Sequence, residues 1–380
     1  MLTLTTIGFN GAIASAQPVS VEEPEIVVVR VFYNNIRDIE LLSAYDLFEY
    51  NNLEQKYVLV AIESSRIAEI RRLGFRTQID EILTSHFNPT GIIGTQIGSI
   101  PGYACYRTVE ETYSSAAALA SSYPGLATWT DIGDSWEKVT TTNPDLAGYD
   151  MMILKLTNSA ITGDKPKLFI SAAIHAREYT TAELAIRYAE YLVTNYNTDA
   201  DVTWLLDYNE IHFMFYINPD GRKKAEVAST NLWRKNTDRD DGCNTTTTYG
   251  TDLNRNFTYQ WGTGGSSTNP CDPTYRGPSA GSEPETQVVQ NYLTSIFPDQ
   301  RNANDAAPAT TTGVYLDLHS SGGLVIWPWG YTTTTPPNAT QLQTLGRKFA
   351  YFNGYRSGQI TIILYVASGG TIDYSYGELG

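Results

Sequence analysis

Apolar segments without polar alternation mark most of the strands predicted for this chain. Such strands are typical of a sheet that is covered on both faces. The segments between them carry apolar residues on one helical face, which indicates helices packed against that sheet. We therefore predict an α/β fold with a central sheet and helices on both of its faces. The predicted strands of this region are 151–156, 167–174, 211–217, 314–318 and 360–365.

Two helices of this region are predicted from the residues at their N-termini. Thr180 lies three residues before Glu183, which is the spacing of a capping box. Ser282 and Glu285 have the same spacing, and apolar residues at helical intervals follow both pairs. Each box therefore predicts where a helix begins.

The first part of the chain predicts a smaller unit. Residues 26–33 and 57–62 are apolar enough to form strands. A short helix is expected to begin at Ser65 and to end at Gly74. These elements predict a compact α+β unit of the βαβα kind within residues 24–87.

A linker is expected to separate the two units. Residues 88–102 are rich in Gly, Pro and Ser, which favour turns and loops over regular structure. A large domain is then expected over residues 103–380.

The N-terminal segment has one feature of a signal peptide. Small residues at 14–16 form the pattern of a secretory cleavage site, although no Lys or Arg precedes Arg30. We interpret residues 1–16 as a signal peptide and expect the protein to be secreted.

Composition and charge exclude several classes of function. The 380 residues carry a formal net charge of −15, and the sequence pI is about 4.7. A strongly acidic protein repels a phosphate backbone, so nucleic acid is not an expected partner. No apolar stretch reaches the ~20 residues that span a bilayer, so no membrane segment is expected.

The cysteines predict one disulfide. Cys243 and Cys271 flank a segment rich in Gly, Thr and Ser, and a disulfide between them would close that loop. No cysteine belongs to a C-x-x-C pair, which disfavours a zinc ribbon or a thioredoxin-like motif. We expect the remaining Cys105 to be a buried free thiol.

The first candidate for metal chemistry is a histidine followed by a glutamate. His175 ends an apolar strand three residues before Glu178, so both side chains are expected at the carboxyl edge of the sheet. The two can bind one zinc ion, although such a pair alone is more often a surface ion pair or a helix cap. Of the other histidines, His212 lies within a strand and is interpreted as structural, and His86 has no neighbouring ligand.

A further histidine strengthens the metal interpretation. His319 directly follows the apolar strand 314–318, so it too is expected at a strand end. A third ligand from a different strand would complete a set of two histidines and one carboxylate, which leaves the fourth position of zinc open.

Candidate residues for an anionic group lie elsewhere in the same domain. Asn254 lies beside Arg255, and an arginine can bind a carboxylate through two parallel hydrogen bonds. Arg234 is a second candidate. Each arginine alone would more often be a solvated surface residue. Together with candidate zinc ligands in an acidic protein, they favour an anionic substrate group.

Eight short motifs occur in a fixed order along the large domain: His-Ala-Arg-Glu (175–178), Asn-Pro-Asp-Gly (218–221), Leu-Trp-Arg-Lys (232–235), Asp-Leu-Asn-Arg-Asn (252–256), Tyr-Arg-Gly-Pro (275–278), Ser-Glu-Pro-Glu-Thr (282–286), Leu-His-Ser (318–320) and Ala-Ser-Gly-Gly (367–370). With these motifs the domain resembles the zinc carboxypeptidases of the carboxypeptidase A type. The small unit before it is similar in position to the pro-domain of that family. The resemblance implies a mixed central sheet, one zinc ion, and peptide or protein C-termini as substrate.

The resemblance also implies a metal site. His175, Glu178 and His319 would bind zinc. Asp252 would orient His175 and fix its tautomer. Arg234 would stabilise the oxyanion that develops beside the metal.

Other residues would bind the substrate by the same resemblance. Asn254 and Arg255 would bind its C-terminal carboxylate, and Tyr365 would close over that group. Arg177 would guide the carboxylate inward. Ile372 would form the floor of the side-chain pocket. The family position of Cys243 and Cys271 agrees with the predicted disulfide.

One residue of the family pattern is expected outside this sequence. The general base of the family is a Glu on the strand that follows the region of Asp373, and the sequence ends at Gly380. We therefore expect a large domain that is incomplete at its C-terminus, and a chain that is inactive by itself. Glu378 is expected to be a solvent-facing turn residue.

Three functions remain open. The first is an exopeptidase that removes C-terminal residues and prefers apolar or aromatic ones, because Ile372 is apolar. The second is an amidohydrolase of the same fold. The set of Arg234, Asn254 and Arg255 favours a peptide carboxylate as substrate group over this alternative. The third is a zinc-binding pseudoenzyme that only recognises C-termini.

Overall fold

The structure is a computed structural model that describes residues 26–87, 99–140, 147–245, 248–302 and 304–379. The interpreted signal peptide and residues 88–98 of the predicted linker lie outside this part of the chain. Within the described ranges, no helix is both long enough and apolar enough to cross a membrane.

The first unit is a four-stranded antiparallel sheet with short helices. Its strands are β1 (Ile26–Phe32), β2 (Asp46–Asn52), β3 (Tyr57–Glu63) and β4 (Arg76–Ile79), in the spatial order β2-β3-β1-β4. Its helices are α1 (Ile67–Arg72) and α2 (Glu81–Phe87), with 3-10 segments at Ile36–Leu42 and Ser64–Arg66. Both faces of β1 are apolar: Val29 packs in one cluster with Ile70, and Val28 packs in another with Leu83.

The sequence predicted only part of this unit. The strands predicted at 26–33 and 57–62 are confirmed. The βαβα pattern omitted β2, β4 and α2, because their polar residues dilute the apolar pattern. Ser65 is not an N-cap, since it lies within a 3-10 segment and α1 begins at Ile67. Gly74 does follow the helix, at a φ of 96° that favours glycine.

A five-stranded mixed sheet forms the centre of the second unit. Its strands are β5 (Ala127–Asp134), β6 (Asp150–Leu156), β7 (Lys167–Ala172), β8 (Glu210–Met214) and β9 (Val314–Leu318), in the order β5-β6-β8-β7-β9. The pairs β5–β6 and β6–β8 are antiparallel, whereas β7 runs parallel to both β8 and β9. A separate parallel pair consists of β10 (Leu324–Trp327) and β11 (Arg356–Gln359).

Helices cover both faces of the central sheet, as predicted. The α-helices described for this unit are α3 (Val109–Ser122), α4 (Trp136–Thr140), α5 (Tyr179–Thr194), α6 (Ala200–Tyr208), α7 (Pro219–Ala225), α8 (Pro284–Ile296), α9 (Ala339–Asn353), α10 (Ile360–Ile363) and α11 (Thr371–Leu379). On one face, α3, α5 and α6 pack against Leu154 and Phe213. On the other, α8 and α11 pack against Ile153 and Phe169. Alternating residues of each strand therefore enter two different cores.

Four of the five strands predicted for this unit are confirmed, as β6, β7, β8 and β9. The strand predicted at 360–365 is wrong, because this segment forms the short helix α10. A short apolar run fits a buried helical turn as well as a strand, so its composition cannot separate the two.

Both predicted capping boxes are wrong. Helix α5 begins before Thr180, whose hydroxyl donates instead to the hydroxyl of Tyr106. Helix α8 begins two residues after Ser282, and the carboxylate of Glu285 accepts a hydrogen bond from the backbone N–H of Trp136. In each case a partner distant in sequence replaces the local one.

The cysteine predictions have different outcomes. A disulfide joins Cys243 and Cys271 with a Cα–Cα distance of 5.1 Å, as predicted. Cys105 is a free thiol, but it is exposed. The prediction of a buried thiol is wrong because this residue lies in a surface turn ahead of α3.

Candidate metal centre

Two neighbouring strand ends position the candidate metal ligands. β7 and β9 are adjacent and parallel, and Ala172 pairs with Leu318 at their carboxyl ends. His319 directly follows β9, and His175 follows β7 in the connection to α5. Glu178 is the residue before the first turn of α5. The topology therefore brings the three predicted ligands to one edge of the sheet.

The three side chains lie in direct contact. Nδ1 of His175 lies 2.8 Å from Oε1 of Glu178, and Nδ1 of His319 lies 3.2 Å from Oε2 of the same carboxylate. The two imidazole rings are 4.8 Å apart between centroids. His175 and Glu178 are buried, and His319 is partly exposed. The set is two imidazoles and one carboxylate with access from one side.

This arrangement fits a zinc ion. Nδ1 of His319 is buried, and although it lies 3.2 Å from Oε2 of Glu178, it makes no hydrogen bond within the described part of the chain. A buried nitrogen of this kind is costly unless a partner satisfies it. Two imidazoles and a carboxylate are the donor set of catalytic zinc sites that keep a fourth position open. The residues present therefore suit the ion.

Carboxylates on the far side orient both imidazoles. Oδ1 of Asp252, the residue expected to orient His175, lies 3.4 Å from Nε2 of that histidine. Asp317 does the same for His319, with Oδ2 at 3.2 Å from Nε2. Sequence reasoning missed Asp317, although its position two residues before His319 places it on the same side of the strand. Carboxylates in these positions would favour the tautomer whose Nδ1 faces a bound metal.

The charges of the site keep its carboxylates ionised. Burial by itself raises the pKa of Glu178, but the imidazoles of His175 and His319 outweigh it and hold that pKa well below its usual range. Burial likewise opposes ionisation of Asp252, and the guanidinium groups of Arg234 and Arg255 lower its pKa well below the usual value. The metal ligands are therefore surrounded by fixed negative charge at neutral pH.

The predicted oxyanion residue lies beside this group. Arg234 is buried, and its Nη2 donates to Oδ2 of Asp252 at 2.9 Å. Its Nε donates to the same oxygen at 3.2 Å. Burial lowers the pKa of Arg234, but Asp252 and Glu49 raise it above its usual value. The guanidinium is therefore a fixed positive charge.

The structure also brings the predicted carboxylate-binding pair to the metal group. Nδ2 of Asn254 lies 3.4 Å from Nε2 of His319, and its Oδ1 accepts a hydrogen bond from the backbone N–H of Thr371. Arg255 is buried, with Nε bonded to the carbonyl of Gly265 and Nη1 to that of Asn254. Both side chains are held in place without a substrate.

Two other predicted substrate residues contact the first unit instead. Arg177 binds the carboxylate of Asp46 through both terminal nitrogens, with Nη2 at 2.7 Å from Oδ1. The hydroxyl of Tyr365 donates to Oε2 of Glu49 at 3.1 Å. Strand β2 of the first unit therefore covers this side of the site.

Ile372 lies on an apolar surface, as the pocket prediction requires. Its side chain is half-buried and packs against the cluster that includes Ile326 and Tyr365. It also lines an apolar cleft of about 380 Å³ together with Tyr315 and Trp327. No carboxylate is among the residues that line this cleft within the described ranges.

One residue near the metal group was not predicted. A carboxylate oxygen of Glu49, in β2, lies close to the candidate ligand atoms of His175, Glu178 and His319. These four atoms are all within 4.8 Å of one another. Nothing in the local sequence of β2 signals this contact, because it depends on how the first unit packs on the second.

A second group of carboxylates lies elsewhere, formed by Asp238, Asp241 and Glu283. Burial, followed by the charge of Glu283, raises the pKa of Asp238 to about 7. Burial also raises the pKa of Asp241 and of Glu283. We therefore interpret this cluster as partly protonated carboxyl groups at neutral pH.

His212 is structural, as predicted. It is buried in β8, and its Nδ1 lies 2.6 Å from the hydroxyl of Tyr292. Burial lowers its pKa to about 4, so the imidazole is neutral at physiological pH. The side chain of His86 lies outside the described residues.

Comparison with known sequences agrees with these motifs. A family model described as zinc carboxypeptidase matches residues 112–380. Carboxypeptidase A2 of Mus musculus is 30% identical over 284 residues, which are 73% of this chain and 61% of that relative. Carboxypeptidase A1 of Bos taurus is 29% identical over 282 residues, which are 73% and 60% of the two chains. The chain thus spans about three fifths of the length of these curated relatives.

Solved structures resemble the whole two-unit arrangement. The crystal structure of carboxypeptidase A from Helicoverpa armigera has a TM-score of 0.74 at 22% identity, over 94% of this chain and 87% of that one. The crystal structure of thrombin activatable fibrinolysis inhibitor has a TM-score of 0.66 at 21% identity, over 93% and 88%. At these identities the likeness concerns the fold, and it agrees with the predicted one.

Proposed function

Because the chain belongs to the zinc carboxypeptidase family, we propose that it is a zinc-dependent exopeptidase that hydrolyses the C-terminal peptide bond of peptides and proteins. The observation that carries this proposal is the position of Asn254, 3.4 Å from His319 in the metal group and next to the buried Arg255. A carboxylate-binding pair beside a metal suits a bond at the end of a chain.

The charged residues would act on the reacting peptide bond from fixed positions. A zinc ion held by His175, Glu178 and His319 supplies a Lewis acid and lowers the pKa of water. Arg234 would donate to the oxygen of the scissile carbonyl as it gains negative charge. Asp252 supports both, because one oxygen faces His175 and the other binds Arg234. Neither group needs to reorganise during the reaction.

Substrate selection would depend on the terminal carboxylate. Arg255 is buried, where a charge-assisted hydrogen bond to a carboxylate is stronger than in water. Asn254 would donate a further hydrogen bond. A requirement for a free carboxylate suits an exopeptidase, because a peptide end presents this group next to the bond that breaks.

We expect the zinc-loaded chain, after cleavage in the linker 88–102 and removal of the first unit, to bind acetyl-Ala-Phe at least about 30-fold more tightly than the C-terminal amide of the same dipeptide, since a buried charge that loses its partner costs about 2–5 kcal/mol. Arg255→Gln should remove most of this difference. The exposed Arg187, which pairs with Glu183 at 2.6 Å, gives the matched control Arg187→Gln. Isothermal titration would measure the six dissociation constants, for acid and amide with each of the three chains. Equal affinity for acid and amide would contradict the proposed function.

We also propose that the described residues bind a substrate without supplying the general base. Within the described ranges, the carboxylates grouped with the two histidines are those of Glu49 and Glu178. Glu178 is assigned to the metal, and a base must lie within hydrogen-bond reach of the proton that it removes. Glu378 is exposed, as predicted, although it lies in α11 rather than in a turn. This observation also favours the second candidate function, a zinc-binding pseudoenzyme.

We therefore expect the chain, after cleavage in the linker 88–102 and removal of the first unit, to hydrolyse acetyl-Ala-Phe about 10²–10⁴-fold more slowly than Bos taurus carboxypeptidase A1 assayed beside it, which is the usual effect of a missing base. Glu378→Gln should leave the slow rate unchanged. A rate within tenfold of the bovine enzyme that Glu378→Gln abolishes would show that this residue is the base.

The remaining proposals concern the first part of the chain. We propose that residues 1–16 direct secretion and that the unit at 24–87 is a pro-domain, joined by the linker 88–102 to the domain that begins at residue 103. The contacts of β2 with the metal side of the second unit support the pro-domain assignment. The family membership and the disulfide between Cys243 and Cys271 support secretion, since disulfides persist in oxidising compartments.

A further inference from the structure

Strand β2 directs an acidic side chain away from its own sheet. Its pairing with β3 is irregular between Leu47 and Asn51, where the register shifts. An irregularity of this kind bends a strand and can redirect a side chain. Glu49 lies at this place, and its side chain is only 16% exposed. The carboxylate is therefore directed into the interface between the two units.

Three groups of the candidate active site surround this carboxylate. One of its oxygens belongs to the group formed with His175, Glu178 and His319, within 4.8 Å of each ligand atom. Its Oε1 lies 3.8 Å from Nη1 of Arg234. Its Oε2 accepts the hydrogen bond of the Tyr365 hydroxyl at 3.1 Å.

The ends of β2 are anchored on either side of this contact. Asp46 binds Arg177 through both terminal nitrogens of the guanidinium. The buried Asn51 donates to the carbonyl of Leu364 at 2.8 Å, and its own carbonyl accepts from Arg356 at 2.8 Å. These contacts hold the strand across the entrance to the metal group.

Backbone contact leaves little room between β2 and the metal edge. A Cβ atom on Gly322, which follows His319 by three residues, would lie only 2.1 Å from the carbonyl oxygen of Glu49. Glycine is required at this position for such an approach. This close approach of the two backbones fixes the position of the Glu49 backbone, so the position of its carboxylate does not depend on side-chain rotation alone.

The charges indicate what Glu49 contacts. Its distance to Arg234 is long, and Arg234 has a closer partner in Asp252 at 2.9 Å. Two carboxylates in one group, those of Glu49 and Glu178, repel each other when both are ionised. A divalent cation between them would remove this repulsion. Arg234 alone does not account for the position of Glu49.

We propose that Glu49 is a fourth ligand of the zinc ion in the uncleaved chain. This inference rests on the proposed function and concerns how the same site is regulated. A zinc site with four protein ligands is closed, whereas a catalytic site keeps one position open. Glu49 therefore occupies the place that the substrate needs, and its contacts with Arg234 and Tyr365 take two groups assigned to the substrate. The site opens when β2 leaves it.

The test compares metal binding by the full chain and three variants. Glu49→Gln removes the charge, and Glu49→Asp keeps the charge but shortens its reach. Glu54→Gln is the matched control, because Glu54 is exposed in the turn after β2. Competition with a chromophoric chelator measures the zinc dissociation constant. Visible absorption of the cobalt(II)-substituted chain reports ligand number and geometry independently of any activity.

We expect both Glu49 variants to raise the zinc dissociation constant about tenfold or more and to change the cobalt spectrum, as loss of a metal contact does. Glu54→Gln should do neither. An unchanged constant and spectrum in Glu49→Gln would overturn the inference. So would a Glu49→Asp chain that retains wild-type values, since attraction by charge would then suffice. If His175→Ala and His319→Ala also leave zinc binding intact, the proposed function fails together with the inference.

Discussion

Replacing His319 by alanine is expected to reduce bound zinc from about one ion per chain to less than a tenth. The variant removes one of the two imidazoles, and the structural contribution of a zinc ligand to affinity is large. It also leaves the carboxylate of Glu178 with one imidazole neighbour fewer in a buried place. Zinc per chain, measured by atomic emission after dialysis against metal-free buffer, gives the result directly.

His212 provides the control for this experiment. It is buried like His175, but it contacts Tyr292 and Glu210 instead of the metal group. His212→Ala should retain one zinc ion per chain and lose about 1–3 kcal/mol of unfolding free energy, because it leaves the partly buried hydroxyl of Tyr292 without its partner. If His319→Ala keeps a full equivalent of zinc while His212→Ala loses it, the assignment of the ligands is wrong.

Acetyl-Ala-Phe is expected to bind at least about 100-fold more tightly than acetyl-Ala-Lys. Ile372, which is assigned to the floor of the side-chain pocket, is apolar, and an unpaired ammonium group buried against it costs several kcal/mol. An aromatic ring gains from the same surface. Dissociation constants of both dipeptides, measured by isothermal titration on the zinc-loaded chain after cleavage in the linker 88–102 and removal of the first unit, give the ratio.

A charge at the pocket floor should reverse this preference. Ile372→Asp is expected to bind acetyl-Ala-Lys more tightly than acetyl-Ala-Phe, because the new carboxylate pairs with the ammonium group. Ile362→Asp is the control, since Ile362 is 50% exposed on α10 and a charge there remains in solvent. Comparable affinity of the unaltered chain for the two dipeptides would refute the proposed specificity.

The fold was predictable where one physical requirement dominated the sequence. The strands 151–156 and 314–318 are apolar on both faces because two layers of helices cover the sheet. The candidate ligands could be predicted from the same pattern. His175 lies just past the end of the apolar strand β7, and His319 lies just past the end of β9. The order of strands is not encoded in any local pattern, and it is the order that makes these two ends neighbours.

Local patterns failed where a distant partner competed with a near one. Thr180 and Ser282 have the spacing of helix caps, yet distant contacts decide where both helices begin. The segment 360–365 is apolar because it lies in the core shared by the two units, and that requirement does not distinguish a strand from a helical turn.

Glu49 shows the limit of sequence reasoning most clearly. It lies in a polar strand of the first unit, more than a hundred residues before the metal ligands, and no spacing connects it to them. Its place in the metal group depends on the packing of one unit on the other. Asp317, by contrast, could have been predicted, because it lies two residues before His319 and therefore on the same side of the chain as it leaves β9.

The central claim is that one zinc ion is bound by His175, Glu178 and His319. X-ray absorption at the zinc edge of the loaded chain tests it most directly. We predict one zinc ion per chain, surrounded by nitrogen and oxygen atoms at about 2.0–2.2 Å, with the outer-shell scattering of two imidazoles. A sulfur neighbour at about 2.3 Å would place the metal on the free Cys105 instead. That result, or a shell without imidazole, would contradict the account.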